Sequence, residues 1–147
     1  GASNYPQLYV KASDNRRDDD WLSQGFQVLS ERVTREQFTD GGGASGTYTM
    51  TKTIPAGAWV LRAKLLNVIG FTGNTSAVVT IGDGSDVDRY NTGTPSVFSN
   101  AVAIDLGAPS GTQIHTSSVT PVITVTGGSD FTNITAGAMT VEILYWL

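Results

Sequence analysis

From Thr47 to the end of the chain, apolar and polar residues alternate with a period of two, the signature of β-strands with one covered face. Tyr48, Met50 and Ile54 share a face, opposed by Thr47, Thr49, Thr51 and Thr53. Trp59, Leu61, Ala63, Leu65, Ile69 and Phe71 then line one side of a long strand. Its other side carries Val60, Arg62, Lys64, Leu66 and Val68, which predicts partial cover there too. Ala77, Val79 and Ile81 repeat the alternation, as do Phe98, Val102, Ile104 and Leu106. Shorter candidates surround Ile114 and Ile123 to Val125, and Met139, Val141, Ile143, Tyr145 and Leu147 close the chain on one face. In that last strand Leu144 and Trp146 fall out of phase and form an apolar pair on the second face, predicting cover by an arm or another subunit.

Turn residues punctuate these runs. Ile54-Pro55-Ala56-Gly57 and Ala108-Pro109-Ser110-Gly111 combine the fixed φ of proline with the freedom of glycine. Ile54-Pro55-Ala56-Gly57-Ala58 is echoed by Ile134-Thr135-Ala136-Gly137-Ala138, predicting one turn geometry feeding two neighbouring strands. Upstream, a flexible stretch from Gly41 to Gly46 divides the chain. Before it, hydrophobic residues are sparse, and Phe26, Leu29 and Val33 fit a helix while Phe26 and Val28 fit a strand. The expected organisation is an all-β antiparallel sandwich over 46–147, jelly-roll-like, with an extended N-terminal arm over 1–45 holding one or two short strands.

Composition narrows the function. Nine Lys plus Arg against thirteen Asp plus Glu leave a net charge of −4, which argues against holding nucleic acid through its phosphates. Charged residues are only 15% of the chain, with Thr, Ser and Gly at the polar positions, so the polar strand faces suit contact with another protein. The absence of cysteine removes thiol chemistry and disulfides and is compatible with assembly in a reducing cytoplasm. No apolar run approaches the ~20 residues that span a bilayer, and no signal pattern opens the sequence.

Catalytic chemistry is thin. His115 is the single histidine and lies near hydroxyls, but no Gly-x-Ser-x-Gly elbow accompanies it. Asp83, Asp86 and Asp88 in a Gly-rich loop offer oxygen ligands for calcium, yet their spacing is not that of an EF-hand. A turn in which aspartates accept backbone N–H groups is the expected state, with no metal and no cofactor. The glutamates Glu31, Glu36 and Glu142 form no acid/base pair, so no enzyme is expected.

Thr53-Ile54-Pro55-Ala56-Gly57-Ala58-Trp59-Val60-Leu61, Phe71-Thr72-Gly73, Ile81-Gly82-Asp83-Gly84-Ser85-Asp86 and the ending Thr135 to Trp146 resemble jelly-roll virion proteins of tailed bacteriophages, among them capsid decoration (cement) proteins. The resemblance covers about two thirds of the chain. It implies a structural protein on the capsid exterior, assembled in the host cytoplasm, that stabilises the shell by bridging major capsid proteins. It brings no catalytic residues. Self-association into a closed homo-oligomer is expected, a trimer in preference to a dimer, with neither nucleic acid nor membrane as partner. Capsid docking is assigned to the segment from Tyr5 to Phe38, with Arg16, Arg17, Trp21 and Phe26 as anchors, and oligomer or arm contacts to Leu144 and Trp146. Deletion of 1–40 should then leave a folded sandwich. The alternative is a head- or tail-fibre module that binds a receptor carbohydrate.

Overall fold

The computed structural model describes residues 25–111 and 113–147. Its strands are β1 (Phe26–Thr34), β2 (Thr39–Asp40), β3 (Ser45–Thr49), β4 (Trp59–Thr72), β5 (Ala77–Gly82), β6 (Ala101–Asp105), β7 (Val122–Gly127) and β8 (Ala136–Trp146). Two single 3-10 turns, Arg35–Gln37 and Phe131–Asn133, complete the described regular structure.

The strands form two antiparallel sheets, ordered β1-β8-β4-β6 and β2-β3-β7-β5. Residues 95–97 extend the second sheet beside β5, through the Val78–Ser96 bridge and the bonds Val79 N–H to Pro95 and Val97 N–H to Ala77. Setting aside the two-residue β2, the pairing is nested. β1 pairs with β8, β3 with β7, β4 with β6, and β5 with 95–97. A long hairpin rolled so that first meets last is the jelly roll. The all-β sandwich expected from the alternation is therefore present.

Between the sheets lie Leu65, Val79, Ile81, Ile123, Val125, Met139, Val141 and Ile143, all without solvent exposure. Phe38 closes one end of this core, with its ring centroid 5.8 Å from Phe71 and 6.1 Å from both Tyr48 and Phe131.

Four expectations are corrected. The stretch 26–40, assigned to an arm, belongs to the sandwich: β1 pairs with β8 over nine residues, and Leu29 and Val33 are buried. Strand β4 does not keep one phase. Register shifts between Val60 and Arg62 and between Leu66 and Ile69 turn Val60 and Val68 inward and leave Trp59 and Ile69 exposed. Each irregularity reverses the faces, because the side-chain period is two. Val102 and Ile114 are also exposed. The former lies on β6, the edge strand of its sheet; the latter lies outside the named strands, held by a bridge to Trp59. Lastly, the repeated Ile-x-Ala-Gly-Ala leads into neighbouring strands, ending just before β4 but running into the start of β8, and the two copies differ in shape. Gly57 (φ 88°) closes a turn in which Ala58 N–H donates to Pro55, whereas Gly137 (φ 146°) lies within β8 under the Phe71 ring.

Candidate functional site

The outer face of the β1-β8-β4-β6 sheet collects side chains that the core does not use. Alternation puts Leu29 and Val33 of β1 inward, so Phe26, Val28, Ser30 and Arg32 point outward. On β8, burying Met139, Val141 and Ile143 leaves Thr140, Glu142, Leu144 and Trp146 outside. The registers then build rows across the sheet. Phe26, Trp146 and Trp59 form one row, and Val28, Leu144 and Arg62 the next. Ser30, Glu142, Lys64 and Asp105 form a third, followed by Arg32, Thr140, Leu66 and Ala103.

Apart from Arg62, the first two rows are apolar and open. Phe26 is 53% exposed, Val28 57% and Trp59 48%. Phe26 stands edge-on to Trp146, with centroids 4.6 Å apart and planes at 88°, a favourable quadrupole arrangement. Trp146 is further overlain by Gly25, where a Cβ would come within 2.9 Å of the indole. Leu147 N–H donates to Gly25, fixing the chain over that ring.

From the second row on, the surface dips into a groove of about 380 Å³ lined by Val28, Leu144 and Ala103 together with Arg62, Lys64, Asp105 and Glu142. Two ion pairs frame it. Arg62 Nη2 contacts both oxygens of Asp105 at 2.9 and 2.8 Å, and Lys64 Nζ lies 3.4 Å from Glu142. The Arg62 hydrogen bond, with that from Gly107 N–H, lowers the Asp105 pKa and keeps the carboxylate charged. Both pairs lie at the surface, so they order side chains more than they stabilise the fold.

The sequence-predicted residues fall into three groups. Phe26, Leu144 and Trp146 meet on this one face. Arg16, Arg17 and Trp21 lie outside the described residues. Asp83, Asp86 and Asp88 lie in the loop after β5, where Asp83 Oδ1 accepts from Ser85 N–H (3.0 Å), Ser85 Oγ (3.1 Å) and Asp86 N–H (2.9 Å). Asp83 Oδ2 accepts from Arg89 Nε at 2.6 Å. Burial raises the Asp83 pKa, but the bonds from Arg89, Ser85 and Asp86 outweigh it and the net shift is downward. Asp88 moves upward because its side chain is hydrogen-bonded to Asp86. Among the described residues no three His, Cys, Asp or Glu side chains are placed to hold a metal ion. His115 is buried, with Nε2 2.7 Å from the Tyr90 hydroxyl. No nucleophile–base–orienter set forms around it among the described residues.

Sequence reading missed Val28, Trp59 and Ala103 as members of the face, along with its two ion pairs. The signal for the pairs was present: Arg62 and Lys64 interrupt one phase of β4, and Glu142 interrupts the matching phase of β8. The signal for Trp59 was misread, since the β4 irregularities leave no trace in hydropathy.

No protein-family model matches the sequence, and no curated protein does. Several solved structures are similar at low identity. One is a chain from the acid-stable capsid of Helicobacter pylori bacteriophage KHP30 (16% identity, 83% of this chain and 93% of that chain covered, TM-score 0.43). Another is from the capsid asymmetric unit of cyanophage Pam1 (18%, 100% and 96%, 0.43). A third is the low-affinity xylan-binding module CBM86 from Roseburia intestinalis (13%, 80% and 94%, 0.42).

Proposed function

We propose that this chain is a structural virion protein that binds the outside of a phage capsid and stabilises it by bridging shell subunits. The carrying observation is the open apolar face of β1, β8 and β4, where Phe26, Val28 and Trp59 are each about half exposed. Exposed large apolar groups gathered on one face mark a surface that another protein covers. The turn-and-strand resemblance names the shell, and the face supplies the means of contact. Neither part calls for a reactive pocket. A decoration protein works by repetition: several modest contacts per assembly raise avidity by ~10²–10⁴ without a tight individual site.

The test uses heads lacking this chain, from the virus whose genome encodes it. Added wild-type protein should sediment with the heads and raise the temperature at which they release DNA. Val28→Glu places a charge in the apolar rows without touching the core, so it should fold normally and do neither. Retention of the variant at the wild-type level, or no retention of the wild type, overturns the proposal.

One observation favours a second reading. Trp59 offers a half-exposed indole one row from Arg62 on β4, the pairing of stacking surface and polar group that a sugar uses. Binding to a glycan array that Trp59→Ala abolishes, with no retention on heads, would select a carbohydrate-binding module.

A further inference from the structure

The outer face of the β1-β8-β4-β6 sheet has an ordered charge pattern. Each strand carries one sign there: Arg32 on β1, Glu142 on β8, Arg62 and Lys64 on β4, Asp105 on β6. Across the sheet the columns read positive, negative, positive, negative. The face is thus close to neutral on a chain whose net charge is −4. Four-fold alternation of this kind is matched by its own reverse.

We infer that a second copy of this chain covers the face, across a two-fold axis parallel to the strands and centred between β8 and β4. This rests on the proposed function and refines it: the second copy takes the apolar face, and the pair, which carries every shell contact twice, is the unit that bridges. Rotation about that axis reverses the column order and keeps the rows level. The β8 column of one copy then lies over the β4 column of the other, with Glu142 facing Lys64, and β1 lies over β6. The perpendicular in-plane axis instead stacks β4 on β4 and repels. The two Glu142–Lys64 contacts, one on each side of the axis, therefore favour this geometry, and the contact is isologous and closed.

Shape and size agree. Reversal sets the bulky β1 column against β6, whose outward residue Ala103 leaves the groove open. Trp146 and Trp59 share a row, so the half-exposed Trp59 of one copy lies over the Phe26–Trp146 corner of the other. Three strands at about 4.8 Å spacing over nine paired positions at about 3.4 Å, with the five-residue β6 beside them, give a sheet face of about 500 Å² before side-chain relief. That is the order of the ~800 Å² per partner of a standard stable interface.

The experiment is a charge-reversal mixing test read by sedimentation velocity from micromolar to hundreds of micromolar protein. Wild type should form dimers. Lys64→Glu sets carboxylates against carboxylates in the Glu142–Lys64 row, Glu142→Lys sets ammonium groups against ammonium groups there, and each variant alone should raise the dimer dissociation constant at least tenfold. Mixed in equal amounts, the two should form a heterodimer, because Glu142 of one now faces Lys64 of a partner that is positive at both positions. The double variant Lys64→Glu/Glu142→Lys should self-associate like wild type. Thermal melts of each single variant should show that folding is intact, the Lys64 side chain being 55% exposed and that of Glu142 22%.

A wild type that stays monomeric overturns the inference, as does a mixture that fails to associate although wild type dimerises. The capsid reading is judged separately. A monomeric wild type retained on heads, and lost with Val28→Glu, gives the face to the shell protein and removes only the self-contact. Loss of both signals removes both.

Discussion

His115 joins loops that are far apart in sequence. Its imidazole meets the Tyr90 hydroxyl at 2.7 Å, and its backbone bonds Ala58 and Gly57 in the turn before β4. The charged neighbours are Arg89 and Asp83, which pair with each other on the adjacent loop. Burial first, and the Arg89 guanidinium second, hold the His115 pKa below its usual value, with Asp83 a smaller opposing influence. Burial also raises the Tyr90 pKa, so the phenol keeps its proton and donates to a neutral ring. Protonating His115 forces that phenol to reverse from donor to acceptor. The sign follows from proton counts: the unfolded chain binds this proton more readily than the fold, so stability rises with pH through the window. The contribution is complete above the unfolded value of about 6.5 and is lost as pH falls through the depressed folded value. Chemical denaturation at pH 7.5, 6.5, 5.5 and 5.0 should show falling midpoints, and His115→Gln should flatten that slope. Carboxylates whose pKa the fold lowers, Glu31, Asp83 and Asp105 among them, change stability only below the ordinary unfolded carboxylate range of about 4, beneath this window. An unchanged slope in the variant would remove His115 as the cause.

At the scale of elements, β4 shows where hydropathy stops being informative. Its neighbours are right and its alternation is recognisable, yet the faces exchange because the register with β8 shifts between Leu66 and Ile69. Asn67 sits at this irregularity with φ 49°, a conformation that asparagine tolerates and β-branched residues do not. Its carbonyl accepts from Arg32 Nη1 at 2.8 Å, tying the bulge to β1. A lone Asn in an apolar run reads as an interruption, and nothing in a single sequence tells a bulge from an exposed polar position. β5 and β8 were legible because no bulge resets their phase inside the core, and Val79, Ile81, Val141 and Ile143 are all fully buried. The outer face stayed illegible for a related reason: it is defined by rows across four strands, and rows depend on register. Asn67→Val should cost about 1–2 kcal/mol by forcing a branched side chain into the left-handed region. Asn67→Gly should be close to neutral, since glycine adopts that conformation freely. Equal losses in urea denaturation would show that the Asn67 side chain, not its backbone, supports the bend.

The whole molecule changes what a truncation means. A chain lacking 1–40 was expected to keep a folded sandwich, but β1 occupies 26–34 and closes the edge of the sheet that carries the candidate face. Removing it exposes the β8 edge along its length and takes Leu29 and Val33 out of the core. It also removes Glu31, whose carboxylate accepts from the Tyr48 hydroxyl and from Thr51, joining β1 to the opposite sheet. The Tyr48 pKa is pushed up to about 12, first by its hydrogen bond to Glu31, so this link holds across the physiological range. Two buried aliphatic side chains lost together cost about 3–6 kcal/mol by area alone, against a total stability of about 5–15 kcal/mol for a domain. A chain beginning at Gly25 keeps every strand named here. It should melt cooperatively within a few degrees of the full chain, whereas one beginning at Gly41 should lose its cooperative transition. The first version is therefore the proper test of the role assigned to Arg16, Arg17 and Trp21. Folded and dimeric but not retained on heads, it would place shell docking in residues 1–24; retained as well as the full chain, it would leave docking to the sandwich alone.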